Sequence, residues 1–294
     1  MNAPPRWELR LGEADYPTQL ALSPRPPEVL YGIGDPTALV PGLGVVGARR
    51  ATPYGLTAAR RFAGWAAEHG VSIVSGAAIG CDQAAQRAAL ERGRNTVAVM
   101  GCGADMDYPS GAAGLLDELR RGRGAVVSES PWGTPPMRYA FRERNRIIAG
   151  LSACLLVVEA ALPSGTFSTA DFALDAGRDV LVVPGSIFAP ECRGSNRLIR
   201  QGATAVTDVS ELRQSLEEAG LTLRRTGREA AHEEVARDPV LRALLADPMR
   251  PDDVARTFDL DIVTVMRRLA AFEMQGAVTR YPDGRYGPGR RRGG

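Results

Sequence analysis

ACLLVVEAALPSGTFSTADFALDAGRDVLVVP, residues 153–184, holds two nearly uninterrupted apolar runs, 153–159 and 179–184, separated by a segment with Ser164-Gly165-Thr166 at its turn. Runs with no polar alternate suit strands covered on both faces, the condition of a parallel sheet with helices above and below. Outward from this stretch the pattern recurs at GVVGA (44–48), VSIVS (71–75), TVAVM (96–100) and AVVSE (125–129). The segments between, TAARRFAGWAAEHG and CDQAAQRAALERG among them, carry helical spacing and end in glycine, a residue that closes helices in the left-handed conformation. Strand and helix in alternation predict a doubly wound, parallel α/β sheet over residues 44–225.

The flanks read differently. Residues 1–43 are rich in proline and offer one short strand candidate, Val29 to Tyr31, so they are an N-terminal extension of the sheet domain. Residues 211–236 turn charged and strand-poor, a last helix running into a linker at 226–237. In 238–294, three helix candidates (DPVLRALLAD, PDDVARTFD, DIVTVMRRLAAFEMQG) precede two strand-like pieces around Pro282-Asp283-Gly284, the order of a small winged-helix domain. On the third helix Ile262, Val265, Leu269 and Phe272 share one face, leaving Thr264, Arg267, Arg268, Ala271 and Gln275 outward. Segment 262–292 has seven arginines against two acids. That face serves either a protein partner or duplex DNA, the latter with Arg267, Arg268 and Gln275 in a major groove and Arg280 or Arg285 on phosphate.

Composition narrows the function. With 294 residues, 44% hydrophobic and 24% charged, the chain is globular in type and long enough for one large and one small domain. The net charge is +2 and every basic residue is arginine, whose planar fork grips phosphate bidentately and stacks on bases. Cys81, Cys102, Cys154 and Cys192 form no C-x-x-C pair, and the two histidines, His69 and His232, stand apart from them. Neither a metal site nor a disulfide framework is encoded, and no cofactor is expected. Gly42, Gly44 and Gly47 satisfy G-x-G-x-x-G, but the pattern starts before its strand instead of after it, and no acid ends the next strand, which argues against NAD. No apolar run reaches membrane-spanning length and no signal peptide opens the chain, so a cytoplasmic protein with no membrane partner is expected.

Several strands end in small residues that lead into helix starts: Gly47-Ala48-Arg49, Ser75-Gly76-Ala77, Gly101-Cys102-Gly103 and Ser164-Gly165-Thr166. In an open parallel sheet these turns line one rim, where backbone N–H groups at helix N-termini face an anion. Tight strand-to-helix turns also use glycine for steric reasons alone. The segment Arg138-Tyr139-Ala140-Phe141-Arg142-Glu143-Arg144-Asn145-Arg146 adds charge for phosphates and ring faces for bases, the chemistry of single-strand binding. At least one of these arginines is expected to be structural, with Arg144 or Arg146 paired to Glu143, Glu159 or Asp171.

The stretches VGARRATPYG, SGAAIGCDQAAQRAAL, VAVMGCGADMDYP, SESPWG, FRERNRIIAGLS, VVEAALPSGTFSTADFALDAGRDVLVVPGS and GSNRLIRQGA together resemble the DNA processing protein A (DprA/Smf) family over about residues 15–208. The resemblance implies an extended Rossmann-like, mostly parallel domain without catalytic activity that binds single-stranded DNA, forms a homodimer and loads the RecA recombinase during natural transformation and homologous recombination. By motif position the DNA pocket would comprise Arg49, Gly76, Gly101, Gly103, Arg138, Phe141, Arg144, Asn145 and Arg146, with Ser164, Gly165 and Thr166 opposite. Gln86 stands where the family has histidine, and Arg142 where it has proline. A competing reading is an enzyme: SGTFSTADFALDAG resembles the phosphate turn of nucleoside monophosphate phosphoribohydrolases. Those enzymes carry a glutamate three residues after the threonine, where this chain has Thr169, with Asp171 the nearest acid.

Overall fold

The computed structural model describes residues 4–224, 238–274 and 276–288, and the chain divides into two compact units, residues 1–224 and 225–294. In the first unit the strands are β1 (Arg6–Arg10), β2 (Val29–Gly34), β3 (Gly42–Val46), β4 (Ser72–Ser75), β5 (Thr96–Val99), β6 (Gly124–Ser128), β7 (Ser152–Val157), β8 (Asp179–Val182) and β9 (Thr204–Ala205). The helices are α1 (Thr18–Ala21), α2 (Pro53–Glu68), α3 (Cys81–Glu91), α4 (Ala113–Glu118), α5 (Arg138–Glu143), α6 (Asn145–Leu151), α7 (Thr166–Asp175), α8 (Arg193–Arg200) and α9 (Val209–Glu218).

One nine-stranded sheet runs in the order β1-β2-β6-β5-β4-β3-β7-β8-β9. All pairings from β6 to β9 are parallel, while β1–β2 and β2–β6 are antiparallel. From β3 the chain lays β4, β5 and β6 to one side and then β7, β8 and β9 to the other. The order reverses between β3 and β7, and ligands of open α/β sheets bind at the carboxyl ends of the strands at such a point.

Both faces are covered, as the uninterrupted apolar runs require. Along β7, Leu155 and Val157 enter a core with Val97 and Ile147, while Cys154 and Leu156 enter another with Leu43, Phe62 and Ile73. Alternate side chains point to opposite faces, so only a continuous apolar run fills two cores at once. Gly42 and Gly44 lie inside β3, where a Cβ would run into Ser72 and Ser152 of the flanking strands. Their G-x-G spacing thus serves strand packing.

The N-terminal extension differs from the sequence expectation: it contributes two strands instead of one, and Val29–Tyr31 lengthens to Val29–Gly34. β1 pairs with β2 across five residues. Trp7 explains the attachment, because its indole donates to the Gly34 carbonyl at 2.9 Å and its ring lies over Gly32, where any side chain would collide.

In the second unit, helices Pro239–Ala246, Pro251–Phe258 and Ile262–Met274 are followed by an antiparallel hairpin, Val278–Arg280 with Tyr286–Pro288. This is a winged helix with its own core of Leu241, Leu244, Val254, Val265, Leu269, Phe272 and Tyr286. Asp238 caps the first helix by accepting from the Val240 N–H at 2.8 Å. Ile262, expected on the inner face of the third helix, is instead 44% exposed in its first turn. The linker 226–237 and Gln275 lie outside the described residues. All four cysteines are buried, and no described helix is long and apolar enough to cross a membrane.

Candidate nucleic-acid interface

A cavity of about 640 Å³ opens at the carboxyl ends of β3 and β7, the reversal point of the sheet. The β3–α2 turn supplies Arg49 and Arg50; the α5–α6 junction supplies Phe141, Arg144 and Asn145; the β7–α7 turn supplies Ser164, Gly165 and Thr166. Residues from segments separated by about 120 positions therefore meet because parallel connectivity returns every strand exit to the same rim.

Arg49 and Arg50 are exposed and make no ion pair among the described residues. Phe141 is half-buried, tilted 37° against Tyr108 with ring centroids 5.0 Å apart. Across the cavity Ser164 accepts from the Thr166 N–H at 3.2 Å, Ser168 donates its hydroxyl to the Gly165 carbonyl at 2.7 Å, and Asn145 donates to Ser168 at 3.2 Å. These bonds fix the first turn of α7, whose remaining N–H groups suit an anion.

Arg144 is a floor residue, not a free gripping one. It is 4% exposed, and it donates to the carbonyls of Gly76 and Val99 and to Asn145 Oδ1. Asp82, also buried, accepts from the Gly76 N–H at 3.1 Å. Burial lowers the Arg144 guanidinium to about 10 while the Asp82 carboxylate opposes that shift. Burial raises the Asp82 carboxyl, and the positive charge of Arg144 holds it back. Each group is thus the other's counter-charge beneath the cavity.

The remaining expected residues are placed less directly. Gly76 and Gly101 lie behind the lining: a Cβ on the first would press into the Arg144 guanidinium, and one on the second into the Phe141 ring. Gly103 packs against the Asp105 carboxylate and the Gly133 backbone. Arg138 is exposed at the start of α5 and does not line the cavity. Arg146 is a structural arginine, but its partner differs from those expected: both Nη atoms donate to Glu129, at 3.1 and 2.6 Å. Glu129 follows β6 directly, beside the α6 start. Gln86 is buried under the sheet and donates to the Val97 carbonyl at 3.0 Å, away from the cavity. Thr169 reaches the lining, whereas Asp171 is exposed outside it. Arg50, Asp82 and Glu191 also line the cavity and carried no distinguishing signal in the sequence.

In the winged helix, Arg267 and Arg280 are exposed, Arg268 faces Asp238 at 3.7 Å, and Arg285 pairs with Asp283 at 2.7 Å. Val263, Met266 and Met274 are exposed on the third helix beside Arg267.

A family model for DNA recombination-mediator protein A matches residues 8–217, and one for the DprA winged helix domain matches residues 224–284. Protein Smf of Escherichia coli (strain K12) is 37% identical over 276 residues, covering 92% of this chain and 74% of that protein. The X-ray structure of DNA processing protein A from Streptococcus pneumoniae superposes with a TM-score of 0.67 at 35% identity, over 72% of this chain and 73% of that one. A structure concerned with the single-stranded DNA binding mode of DNA processing protein A from Helicobacter pylori gives 0.65 at 28% identity, over 72% of this chain and 96% of that one.

Proposed function

Because the chain belongs to the DNA recombination-mediator protein A family, we propose that it binds single-stranded DNA in the cavity at the β3 and β7 exits, without chemical change to the strand, and passes that strand to the RecA recombinase in natural transformation and homologous recombination. The observation that carries this reading is the cavity's division of labour: two exposed arginines with no ion pair among the described residues, an aromatic ring on one wall, and the first turn of α7 on the other. Guanidinium forks and N–H groups take phosphates, and the ring takes a base. The Helicobacter pylori relative, described by its single-stranded DNA binding mode, supports the same ligand. A homodimer would offer two such cavities to one strand, in the cytoplasm where recombination occurs.

The phosphoribohydrolase alternative is weaker. Thr169 occupies the position of its acid, and Asp171 points outside the cavity. For the winged helix, the apolar exposure of Val263, Met266 and Met274 beside Arg267 favours a protein partner over duplex DNA, because a groove-reading face offers mainly polar groups to base edges. Fluorescence anisotropy of a labelled single strand and of its duplex, titrated across salt, tests the main reading. Steep loss of single-strand affinity with salt is expected; equal and salt-insensitive binding of both would overturn it.

A further inference from the structure

The GSNRLIRQGA stretch, which the cavity leaves unused, forms α8. Arg193, Arg197 and Arg200 recur there at i, i+4 and i+7, and a helix with about 3.6 residues per turn sets these positions within about 60° of one another. Gly194, Ser195 and Leu198 take the opposite face and are buried. All three arginines are exposed, and none has an ion pair or a side-chain hydrogen bond among the described residues. Their charges do nothing for the helix itself. Like charges at i and i+4 repel, Arg193 adds a cation at the end where the helix dipole is already positive, and α8 contains no acid to offset them. The stripe is about 10 Å long.

The loop that enters α8 adds an aromatic ring. Ile187 and Phe188 are 78% and 89% exposed. Their turn is closed, with Ser186 Oγ accepting from the Phe188 N–H at 3.2 Å and the Ser186 carbonyl accepting from the Ala189 N–H at 3.1 Å. It holds the ring in water against the hydrophobic preference for burial. Glu191, which stands between Phe188 and Arg193 in the chain, lines the first cavity, and so does Ala161. The Gly194 N–H donates to the Ala160 carbonyl at 2.7 Å and Ser195 Oγ accepts from the Ala160 N–H at 2.9 Å, which ties the start of α8 to the strand exit beside Ala161. The stripe therefore begins at the cavity's edge and leads away from it along α8.

We propose that Phe188 and the Arg193, Arg197 and Arg200 stripe form a second stretch of a single-strand track, which receives the strand as it leaves the first cavity. The ring stacks a base and the guanidinium forks take successive phosphates. Three like charges without a counter-charge of their own are complementary to a row of phosphates, which favours a polyanion over a second copy of the chain on this face. The inference rests on the strand-binding reading and adds a length dependence to it: a strand too short to leave the cavity gains nothing from α8.

Anisotropy at stepped NaCl, with oligothymidines of about 5 and about 15 nucleotides, provides the test, both lengths lying within the usual range of single-strand site sizes. The longer strand should show the steeper salt slope. Arg193→Ala, Arg197→Ala and Arg200→Ala combined should lower the long-strand slope by about 2, at about 0.7 for each phosphate contact, and leave the short-strand slope as it is. The same three positions changed to lysine keep their charge and should keep that slope. Phe188→Ala should weaken the long strand at least about fivefold with its slope intact. Arg49→Ala, in the first cavity, should lower both slopes alike. Equal wild-type slopes for the two strands, or an unchanged long-strand slope in the triple alanine variant, overturn the track and leave the first cavity's reading intact. Sedimentation velocity without DNA checks the other occupant: a changed subunit number in the triple alanine variant gives the face to a second copy and overturns the proposal. Failure of both strands to bind the wild-type protein refutes the strand-binding reading itself.

Discussion

Arg49 and Arg144 line one cavity with one charge each, yet their alanine variants should fail in opposite ways. Arg49 is exposed and has no ion pair among the described residues, so its guanidinium is available to a phosphate. Removing one phosphate contact to a single strand lowers the slope of log affinity against log salt by about 0.7. Between about 50 and 200 mM salt, a fourfold rise, that contact accounts for about a 2.6-fold loss of wild-type affinity that Arg49→Ala no longer shows. Its stability should stay within about 0.5 kcal/mol, as for other surface changes. Arg144 is 4% exposed and serves the carbonyls of Gly76 and Val99 above Asp82. Arg144→Ala leaves the buried Gly76 and Val99 carbonyls without their side-chain donor and removes the positive charge that favours the Asp82 carboxylate; at about 1–3 kcal/mol for each buried acceptor left unfilled, the loss is about 2–6 kcal/mol. For a unit of this size that lowers the melting temperature on the order of 10 °C. Anisotropy at stepped NaCl and scanning calorimetry read the two effects separately. An Arg49→Ala protein with the wild-type salt slope, or an Arg144→Ala protein with a reduced slope and an unchanged melting temperature, would refute this assignment of roles.

Phe141→Ala should weaken single-strand binding by about 1–3 kcal/mol with no change in salt slope, since stacking releases no counterions; an altered slope would mean that losing the ring also removes a phosphate contact. Burial pushes the thiols of Cys81 and Cys154 from their ordinary 9.0 up to about 12. The folded protein keeps protons that the unfolded chain releases, so this contribution is complete below pH 9 and is lost as pH climbs from 9 towards 12. Melting temperatures followed by circular dichroism should fall across that window, and a flat profile would show that these thiols are not protected. In the winged helix, Arg267→Ala should leave duplex affinity unchanged if its outward face serves a protein; a several-fold drop would make the third helix a DNA reader.

The central sheet was legible because strands covered on both faces leave continuous apolar runs, as at 153–159 and 179–184. β1 escaped because RWELR is an edge strand of only five residues beside a proline-rich stretch: its alternation of charged and apolar side chains fits a half-buried strand, but the run is short and unlike the continuous apolar runs of the central strands. Its attachment depends on Trp7 meeting a glycine about two dozen residues away, a contact no local pattern announces. The candidate site was legible as a set of segments, since each strand exit in a parallel sheet must reach the same rim. Which arginine grips and which supports was not legible. Arg144 and Arg146 are two positions apart, yet one turns into the floor above Asp82 and the other is held by Glu129. Both partners come from other strand exits, so spacing within FRERNR carries no information about them.

The same long-range packing changes what the rim glycines mean. Small residues at strand exits suggest direct approach of a phosphate to the backbone, and the β7–α7 turn keeps that sense because Gly165 is exposed in the lining. Gly76 and Gly101 instead leave room for protein: a Cβ there would displace the Arg144 guanidinium or the Phe141 ring. Their lack of a side chain lets a cation and an aromatic ring from the α5–α6 junction lie down against β4 and β5. On the proposed strand-binding reading, the charge that meets a strand at the mouth comes from the β3–α2 turn, through Arg49 and Arg50, while the arginine-rich junction supplies mainly shape. That reading assigns binding strength and fold stability to different arginines of one cavity, which makes them separable by mutation.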